Sequence, residues 1–484
     1  MRERDTQTFG PVDAVTAGAR WPAAVLLALA ALLSVLAVWL HFPGHISMDS
    51  SMQVIEASTG RSETWNPPHT SALLRWLGVG PSGVGRLMVL DAVLTYLALA
   101  LAAAAAFRAG PASSRGTRIR VLAVALVLLN PVIAVYVGII WKDVVFATTL
   151  NIAVAAGLMA CVSGSRASFP WAIASTVLLA FAMKVRQQGL FMSPVLLLLP
   201  IVAVSLGRGL PRLRALGRAA AMAAVFVVAL VGFGALVAHT VKQDDKLGNQ
   251  VGFNGLMQYD IAGMVAMSDT PTDSLPIPMS DELRAQVRSV YSPDRGDFLW
   301  YSPSVTNWLS TPGYAGVRSM WWTMVRAEPG TYLRHRIAVF RSILDIDGVK
   351  ACLPLHVGID GDNARLQRLG FVPGLDRNDQ LIYNKMQRVI YWPIYRHFFY
   401  AAALLLVALL LVATPMHRRL RIGALAVVVA TALLYASYLP TSIACDFRYL
   451  YPATCLVSML WIVWIAGARG RPSLRHLPRL RAGA

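Results

Sequence analysis

The chain has 484 residues, of which 56% are hydrophobic and 14% are charged. Soluble domains carry about 25% charged residues, so this composition excludes an ordinary soluble protein. The formal net charge is +19, but the basic residues concentrate in short loops between apolar runs, which argues against a nucleic-acid-binding role.

Several apolar runs have the length, about 20 residues, that crosses ~30 Å of hydrocarbon. We predict ten spans, near residues 21–41, 85–107, 120–141, 144–162, 170–184, 189–207, 219–240, 397–414, 422–440 and 449–467. The first run is too long for the apolar core of a signal peptide, so we expect it to be retained. The predicted fold class is therefore an all-α polytopic membrane protein.

The spans fall into two unequal groups. About seven lie in an N-terminal membrane region, 1–240, which includes a first outer loop at 42–84. Three lie in the region 397–484, which ends in a basic tail. Residues 241–396 form one long loop, which we expect to be a mainly helical outer domain with interfacial helices. No internal repeat is visible, which argues against the repeat architecture of many secondary transporters.

Charge predicts the orientation of the spans. Arginines cluster in the loops after the second, fourth, sixth and eighth spans and in the tail, so the positive-inside rule places both termini in the cytoplasm. Of the 25 acidic residues, 21 then fall in outer loops, where ATP and nucleotide-sugars are not supplied. The abundance of Ala, Leu, Arg and Val with few lysines fits a GC-rich bacterial genome, and hence a bacterial inner membrane.

The first outer loop carries an acidic residue close to the membrane. It reads His41-Phe-Pro-Gly-His45-Ile-Ser-Met-Asp49-Ser-Ser-Met-Gln53 and, further on, Trp65-Asn66-Pro-Pro-His69. A carboxylate at the depth of Asp49 is partly desolvated, which suits a base for a sugar hydroxyl or a metal ligand. The alternative is that Asp49 caps the helix that follows it.

A second stretch, Trp141-Lys142-Asp143, lies at the outer mouth between the third and fourth spans. Charged residues at a membrane edge are costly unless they are paired or used. Lys142 is a candidate phosphate ligand, with Asp143 orienting it or acting as a second acidic group. The alternative is an ion pair between the two residues.

A third stretch, Lys184-Val-Arg186-Gln187-Gln188-Gly189, forms the outer turn between the fifth and sixth spans. This basic cluster violates the positive-inside rule, so we expect an anionic group to balance it. Arg186 presents a planar fork that suits a phosphate. The alternative is that the cluster anchors the chain to lipid headgroups.

A fourth stretch, Cys445-Asp446-Phe-Arg448-Tyr449-Leu-Tyr451-Pro452, enters the last span from outside. Arg448 is a candidate phosphate ligand and Tyr449 a candidate hydrogen-bond donor. The alternative is a surface pair of Asp446 with Arg448 beside interfacial tyrosines.

The long loop contains fewer chemical signals. Ser280-Asp-Glu-Leu predicts a helix start. Residues 316–346 combine aromatic and basic side chains, divided by Glu328-Pro-Gly, which predicts a pair of helices lying on the membrane surface. Cys352 and Cys445 are both placed in the oxidising outer compartment, where they could form a disulfide, and the sequence leaves open whether they do.

Together these stretches resemble C-type (GT-C) glycosyltransferases, which are polytopic membrane enzymes. The resemblance lies in Gly-x-x-x-x-Asp-Ser-x-x-Gln after the first span, the Pro-Pro element that follows it, and the Arg-Tyr element before the last span. It implies that Asp49 is the catalytic base or binds metal and acceptor. Such families more often carry His before the Pro-Pro pair, where this chain has Asn66, with His69 after the pair.

The resemblance implies transfer of a sugar from a polyprenyl-phosphate carrier to an acceptor hydroxyl of a glycan, glycolipid or protein. Lys142, Arg186, Arg448 and Tyr449 would hold the donor phosphate, and Asp143, Gln187, His69, Trp65 and Asp446 would support the site or contact the acceptor. A divalent cation, magnesium or manganese, stays open, with Asp49 as a candidate ligand and Asp143 and Asp446 as candidates for a second one. The same residues also allow a lipid-linked-sugar flippase, an O-antigen-ligase-like transferase or an inactive assembly partner.

Overall fold

The computed structural model describes residues 20–64, 66–111, 114–206, 210–243, 249–349, 351–352, 354–470 and 472. The first half contains the helices α1 (Arg20–His41), α2 (Met48–Thr59), α3 (His69–Leu77), α4 (Pro81–Ala109), α5 (Ser114–Leu128), α6 (Pro131–Tyr136), α7 (Lys142–Val162), α8 (Ser165–Val185), α9 (Gly189–Leu196), α10 (Leu198–Ser205) and α11 (Arg212–Thr240). The second half contains α12 (Asn249–Met267), α13 (Asp281–Val290), α14 (Asp297–Trp300), α15 (Pro303–Ser310), α16 (Gly313–Ala327), α17 (Pro329–Ile343), α18 (Asn363–Arg368), α19 (Arg377–Met386), α20 (His397–Ala413), α21 (Arg418–Thr441) and α22 (Tyr451–Gly467). Two short strands, β1 (Arg61–Ser62) and β2 (Lys242–Gln243), pair in parallel.

Seven helical segments of the described chain are long and apolar enough to cross a membrane: α1, α4, α7, α8, α11, α21 and Phe447–Gly467. They confirm the prediction of a mainly helical, multi-pass membrane protein. The expected spans near 189–207 and 397–414 correspond to shorter apolar segments, Gly189–Ser205 and His397–Ala413. The total of ten spans, and the side on which each loop lies, stay predictions.

The third expected span, 120–141, is not one continuous helix. The structure breaks it into α5 and α6 at Asn130 and Pro131. Pro131 has no N–H to donate and disfavours helical backbone at the residue before it. The side chain of Asn130 accepts a hydrogen bond from the Val132 N–H at 3.0 Å, which caps the new helix. The prediction of an unbroken span was therefore wrong in this detail.

The helices of the bundle differ greatly in burial. In the most apolar 18-residue stretch of α7, 94% is buried inside the protein. The corresponding share is 83% in the last span, 22% in α1 and 17% in α11. The chain leading into α7 and the chain leading into the last span therefore both enter the buried interior of the bundle. Lys142 and Arg448 lie on these two approaches.

The helices of the long loop have an apolar core of their own. Buried side chains of α12, α13, α15, α16 and α17 form a cluster distinct from that of the membrane bundle. The predicted helix start is confirmed, because Ser280 accepts the Leu283 N–H at 3.2 Å. The two predicted helices are present as α16 and α17, divided at Glu328, and their position on the membrane surface stays a prediction. The domain boundaries themselves stay predictions.

An extended segment, His45–Ile46, joins three distant parts of the chain. The His45 N–H donates to Gly138 O at 2.8 Å, and the Ile140 N–H donates to His45 O at 2.9 Å. On the other side, the Ile46 N–H donates to Gly358 O at 2.9 Å. These backbone bonds fix the start of α2 beside the start of α7.

Candidate active site

Asp49 lies in the first turn of α2 rather than at its cap. The N-cap is Ser47, whose backbone N–H donates to Ser50 Oγ at 2.8 Å. Trp141 Nε1 donates to the Ser47 hydroxyl at 2.7 Å, which holds this helix start against the approach to α7. The capping interpretation of Asp49 is therefore wrong, and its carboxylate, 37% exposed, is left for another role.

Arg448 is the partner of Asp49. Its Nη1 lies 2.6 Å from Asp49 Oδ2, and its Nη2 donates to Asp446 Oδ2 at 2.9 Å. The guanidinium also lies over the rings of Trp141, at 5.0 Å, and Tyr449, at 5.5 Å. A pair of Asp446 with Arg448 is thus present, but it forms part of a larger cluster.

The surroundings of Asp49 decide its ionisation. Burial acts to raise the pKa of this carboxyl group, but the charges of Arg448 and Lys142 outweigh burial and bring the pKa below its ordinary value. Asp49 is therefore a carboxylate at neutral pH, able to accept a proton or a hydrogen bond.

Lys142 contacts a neutral partner. Its ammonium donates to Asn66 Oδ1, and no ion pair joins it to Asp143 within the described chain, so that interpretation is wrong. Because its partner carries no charge, Lys142 is the basic group of this cluster that an arriving phosphate can approach without displacing a carboxylate.

Asn66 is held in place by a buried acidic residue, Glu56. Glu56 Oε1 accepts the backbone N–H groups of Glu63 and Thr64, both at 2.9 Å, and the Thr64 hydroxyl at 2.8 Å. Its other oxygen accepts the Ser71 hydroxyl at 2.7 Å. Thr64 in turn accepts a bond from Asn66 Nδ2 at 3.1 Å. Glu56 therefore fixes the loop that presents Asn66 to Lys142.

Arg186 and Asp143 form a second, buried ion pair. The Arg186 guanidinium lies 5.1 Å from the ring of Tyr449 and 5.8 Å from that of Tyr438, and these two rings stack on each other at 5.7 Å. Tyr449 thus lies between Arg186 and Arg448, which brings the third and fourth stretches together.

Two other predicted residues lie outside this cluster. Gln187 is exposed, and its neighbour Gln188 instead accepts a hydrogen bond from Arg186 Nε at 2.9 Å. His69 is buried at the start of α3, where its ring lies 6.5 Å from that of Phe181. Trp65 lies outside the described residues.

The segment before Arg448 is tied to the helices of the long loop. The disulfide between Cys352 and Cys445, which the sequence left open, is present. The Cys445 N–H donates to Asp294 O at 2.8 Å, and Arg336 Nη1 donates to Ser442 O at 2.8 Å. These links fix the position of the turn that carries Asp446 and Arg448.

The carboxylates of the cluster do not fit a divalent-cation site. In the described part of the chain, no group of three or more His, Cys, Asp or Glu side chains is arranged to hold a metal ion. Asp49 and Asp446 face Arg448, and Asp143 faces Arg186. Each acidic candidate ligand thus points at a guanidinium, and we assign no step to a metal.

Two residues that build the site were not predicted from the sequence. Glu56 lies seven positions after Asp49, a spacing that places both on one face of a helix, so this signal was available. Tyr438 gave no such signal, because its contact with Arg186 depends on how α21 packs against the end of α8.

Two solved membrane proteins are similar to this chain. One is the structure of ArnT from Cupriavidus metallidurans in the apo state. The aligned region covers 94% of this chain and 78% of the ArnT chain, with 14% sequence identity and a TM-score of 0.34. Archaeal oligosaccharyltransferase AglB from Archaeoglobus fulgidus, in complex with an inhibitory peptide and a dolichol-phosphate, matches 92% of this chain, with 13% identity and a TM-score of 0.38. The chain spans 50% of the length of AglB. No protein-family model matches the sequence, and no curated protein matches it. At these TM-scores, neither a residue role nor an activity is transferred to this chain.

Proposed function

We propose that this protein is a membrane glycosyltransferase that uses a polyprenyl-phosphate-linked sugar on the outer face of the membrane. The observation that carries this proposal is that Asp49, ionised and 37% exposed, lies 2.6 Å from Arg448 and within the field of Lys142. A base beside two cations suits a reaction in which a hydroxyl loses its proton while a phosphate departs. The resemblance of the four stretches to GT-C motifs supports the same assignment.

The proposed reaction is a single displacement. The acceptor oxygen forms a bond to the anomeric carbon while the bond from that carbon to the phosphate oxygen breaks. The phosphate leaves with the bonding electrons, and Asp49 takes the proton of the acceptor hydroxyl. Lys142 and Arg448 stabilise the charge that grows on the phosphate. Such a displacement inverts the anomeric configuration.

Arg186 and Tyr449 complete the donor side in this proposal. Arg186 is neutralised by Asp143, so its part is to hold Tyr449 against Arg448. The Tyr449 hydroxyl then serves as a hydrogen-bond donor to the phosphate. Asp446 keeps the Arg448 fork in the plane that faces Asp49.

An apolar cavity of about 490 Å³ is suited to the carrier's tail. It opens at the break between α5 and α6, between α20 and α22, and Asn130 and Trp461 are among its lining residues. Helix α6 leads from Asn130 to Tyr136, whose ring lies 5.8 Å from that of Trp141. Helix α6 therefore runs from the edge of the cavity toward the cluster around Arg448, and α20 is one of the two helices that flank the long loop.

The test is transfer by the purified protein in liposomes, with a panel of polyprenyl-phosphate sugars and with glycan, glycolipid and peptide acceptors. We expect one donor to give a glycosylated acceptor and free polyprenyl phosphate in equal amounts. Movement of a labelled lipid-linked sugar across the bilayer, with no product from any donor, would contradict the proposal and indicate a flippase.

A further inference from the structure

Lys184, at the end of α8, is a cation without a counter-ion in the described part of the chain. The sequence predicts that an anion balances the basic cluster at this turn. The structure supplies that anion for Arg186, in the form of Asp143. Lys184 is half-buried and has neither an ion pair nor a hydrogen bond among the described residues. The missing anion is therefore the one for Lys184.

His69 is a second unpartnered polar group, close enough to Lys184 for the charge of that lysine to act on its ring. His69 is only 7% exposed, and neither of its ring nitrogens has a hydrogen-bond partner in the described chain. Burial, and then the charge of Lys184, lower the pKa of His69 to about 4. The imidazole is thus neutral at pH 7, with one N–H to donate. Buried polar groups are rarely left unpaired, since each costs roughly 1–3 kcal/mol.

Apolar side chains lie beside these two donors. The Phe181 ring contacts His69 and lies 5.1 Å from the ring of Phe233 on α11. A methyl group added to Gly234 would lie 3.5 Å from Lys184 Nζ, so the ammonium lies close to the backbone of α11. Only 17% of the apolar window of α11 is buried, so this helix faces lipid.

We propose that Lys184 and His69 form a second phosphate site, separate from the Asp49 cluster, that binds the phosphate headgroup of a lipid. Lys184 supplies three N–H donors and the neutral His69 ring supplies one, which selects an anion with several acceptor oxygens. Phe181 and Phe233 offer a surface for the first carbons of the lipid chain. The inference does not depend on the proposed glycosyltransferase activity.

Native mass spectrometry of the full-length protein tests this proposal. The protein is released from nanodiscs that contain phosphatidylglycerol or undecaprenyl phosphate, and retained lipids are counted. We expect Lys184→Gln to retain one anionic lipid fewer than wild type. It should bind phosphatidylglycerol or undecaprenyl phosphate about tenfold more weakly, because one charge-assisted hydrogen bond is lost. His69→Phe should show the same loss, and His69→Gln a smaller one.

Lys242→Gln is the matched control, because Lys242 is an exposed lysine that follows the end of α11. Its lipid count should equal that of wild type. Equal counts for Lys184→Gln and Lys242→Gln would overturn the proposal and leave a protein carboxylate as the counter-ion. Displacement of the lipid by millimolar inorganic phosphate would overturn the lipid assignment, whereas retention of the lipid supports it.

Discussion

At the scale of single residues, the candidate site consists of paired charges and one basic residue, Lys142, whose partner is neutral. Asp49 and Asp446 share Arg448, while the hydrogen-bond partner of Lys142 among the described residues is the neutral amide of Asn66. Removing one partner from such a group leaves the other charge uncompensated and partly buried, which is costly. We therefore assign the entry of the phosphate to Lys142, and the control of Asp49 ionisation to Arg448.

Arg448→Gln tests this control through the pH dependence of transfer. In wild type the pKa of Asp49 is below its ordinary value, so the base is ionised above that pKa, and activity is lost only as pH falls through it. Without Arg448, burial acts on Asp49 with less opposition, and the acid limb of kcat/KM moves to higher pH.

Arg341→Gln serves as the control for this profile, because Arg341 is exposed on α17 and pairs with Asp347. Its acid limb should coincide with that of wild type. An unchanged acid limb in Arg448→Gln, in a folded protein, would show that another group provides the base.

At the scale of elements, the first outer loop depends on one buried carboxylate. Glu56→Gln replaces an acceptor of two backbone N–H groups by an amide, half of which can only donate. We expect a loss of about 1–3 kcal/mol in the free energy of unfolding, measured from thermal or denaturant transitions in detergent. Glu63→Gln, at an exposed position in the same loop, should change it by less than about 0.5 kcal/mol. Equal effects of the two substitutions would contradict the role given to Glu56.

The same scale shows how much of the site the sequence could predict. Asp49, Lys142, Arg186 and Arg448 were identifiable because each follows or precedes an apolar run at what the charge pattern predicts to be the same side of the membrane. Their partners were not, because Asp49 and Arg448 are about 400 positions apart and their contact is set by packing of the bundle. The break at Asn130 was likewise hidden, since apolar residues continue on both sides of it.

At the scale of the whole molecule, the basic residues concentrate in the short loops, and most acidic residues lie in the loops that are predicted to be outer. The exceptions to this pattern are informative. Arg186 and Lys184 lie at a turn that the charge pattern predicts to be outer. Asp143 balances Arg186, whereas no carboxylate among the described residues pairs with Lys184. Local sequence patterns thus predicted the helical architecture and the charged residues that depart from the positive-inside rule. Tertiary packing decides which of those charges are paired.

Single-turnover transfer in liposomes by wild type and Asp49→Asn tests whether Asp49 is the base. The control is Asp273→Asn, an exposed carboxylate in the long loop. We predict loss of transfer by roughly 10²–10⁴-fold in Asp49→Asn, with donor binding retained, and wild-type rates in Asp273→Asn. Transfer at the wild-type rate in a folded Asp49→Asn would contradict the assignment of Asp49 as the base.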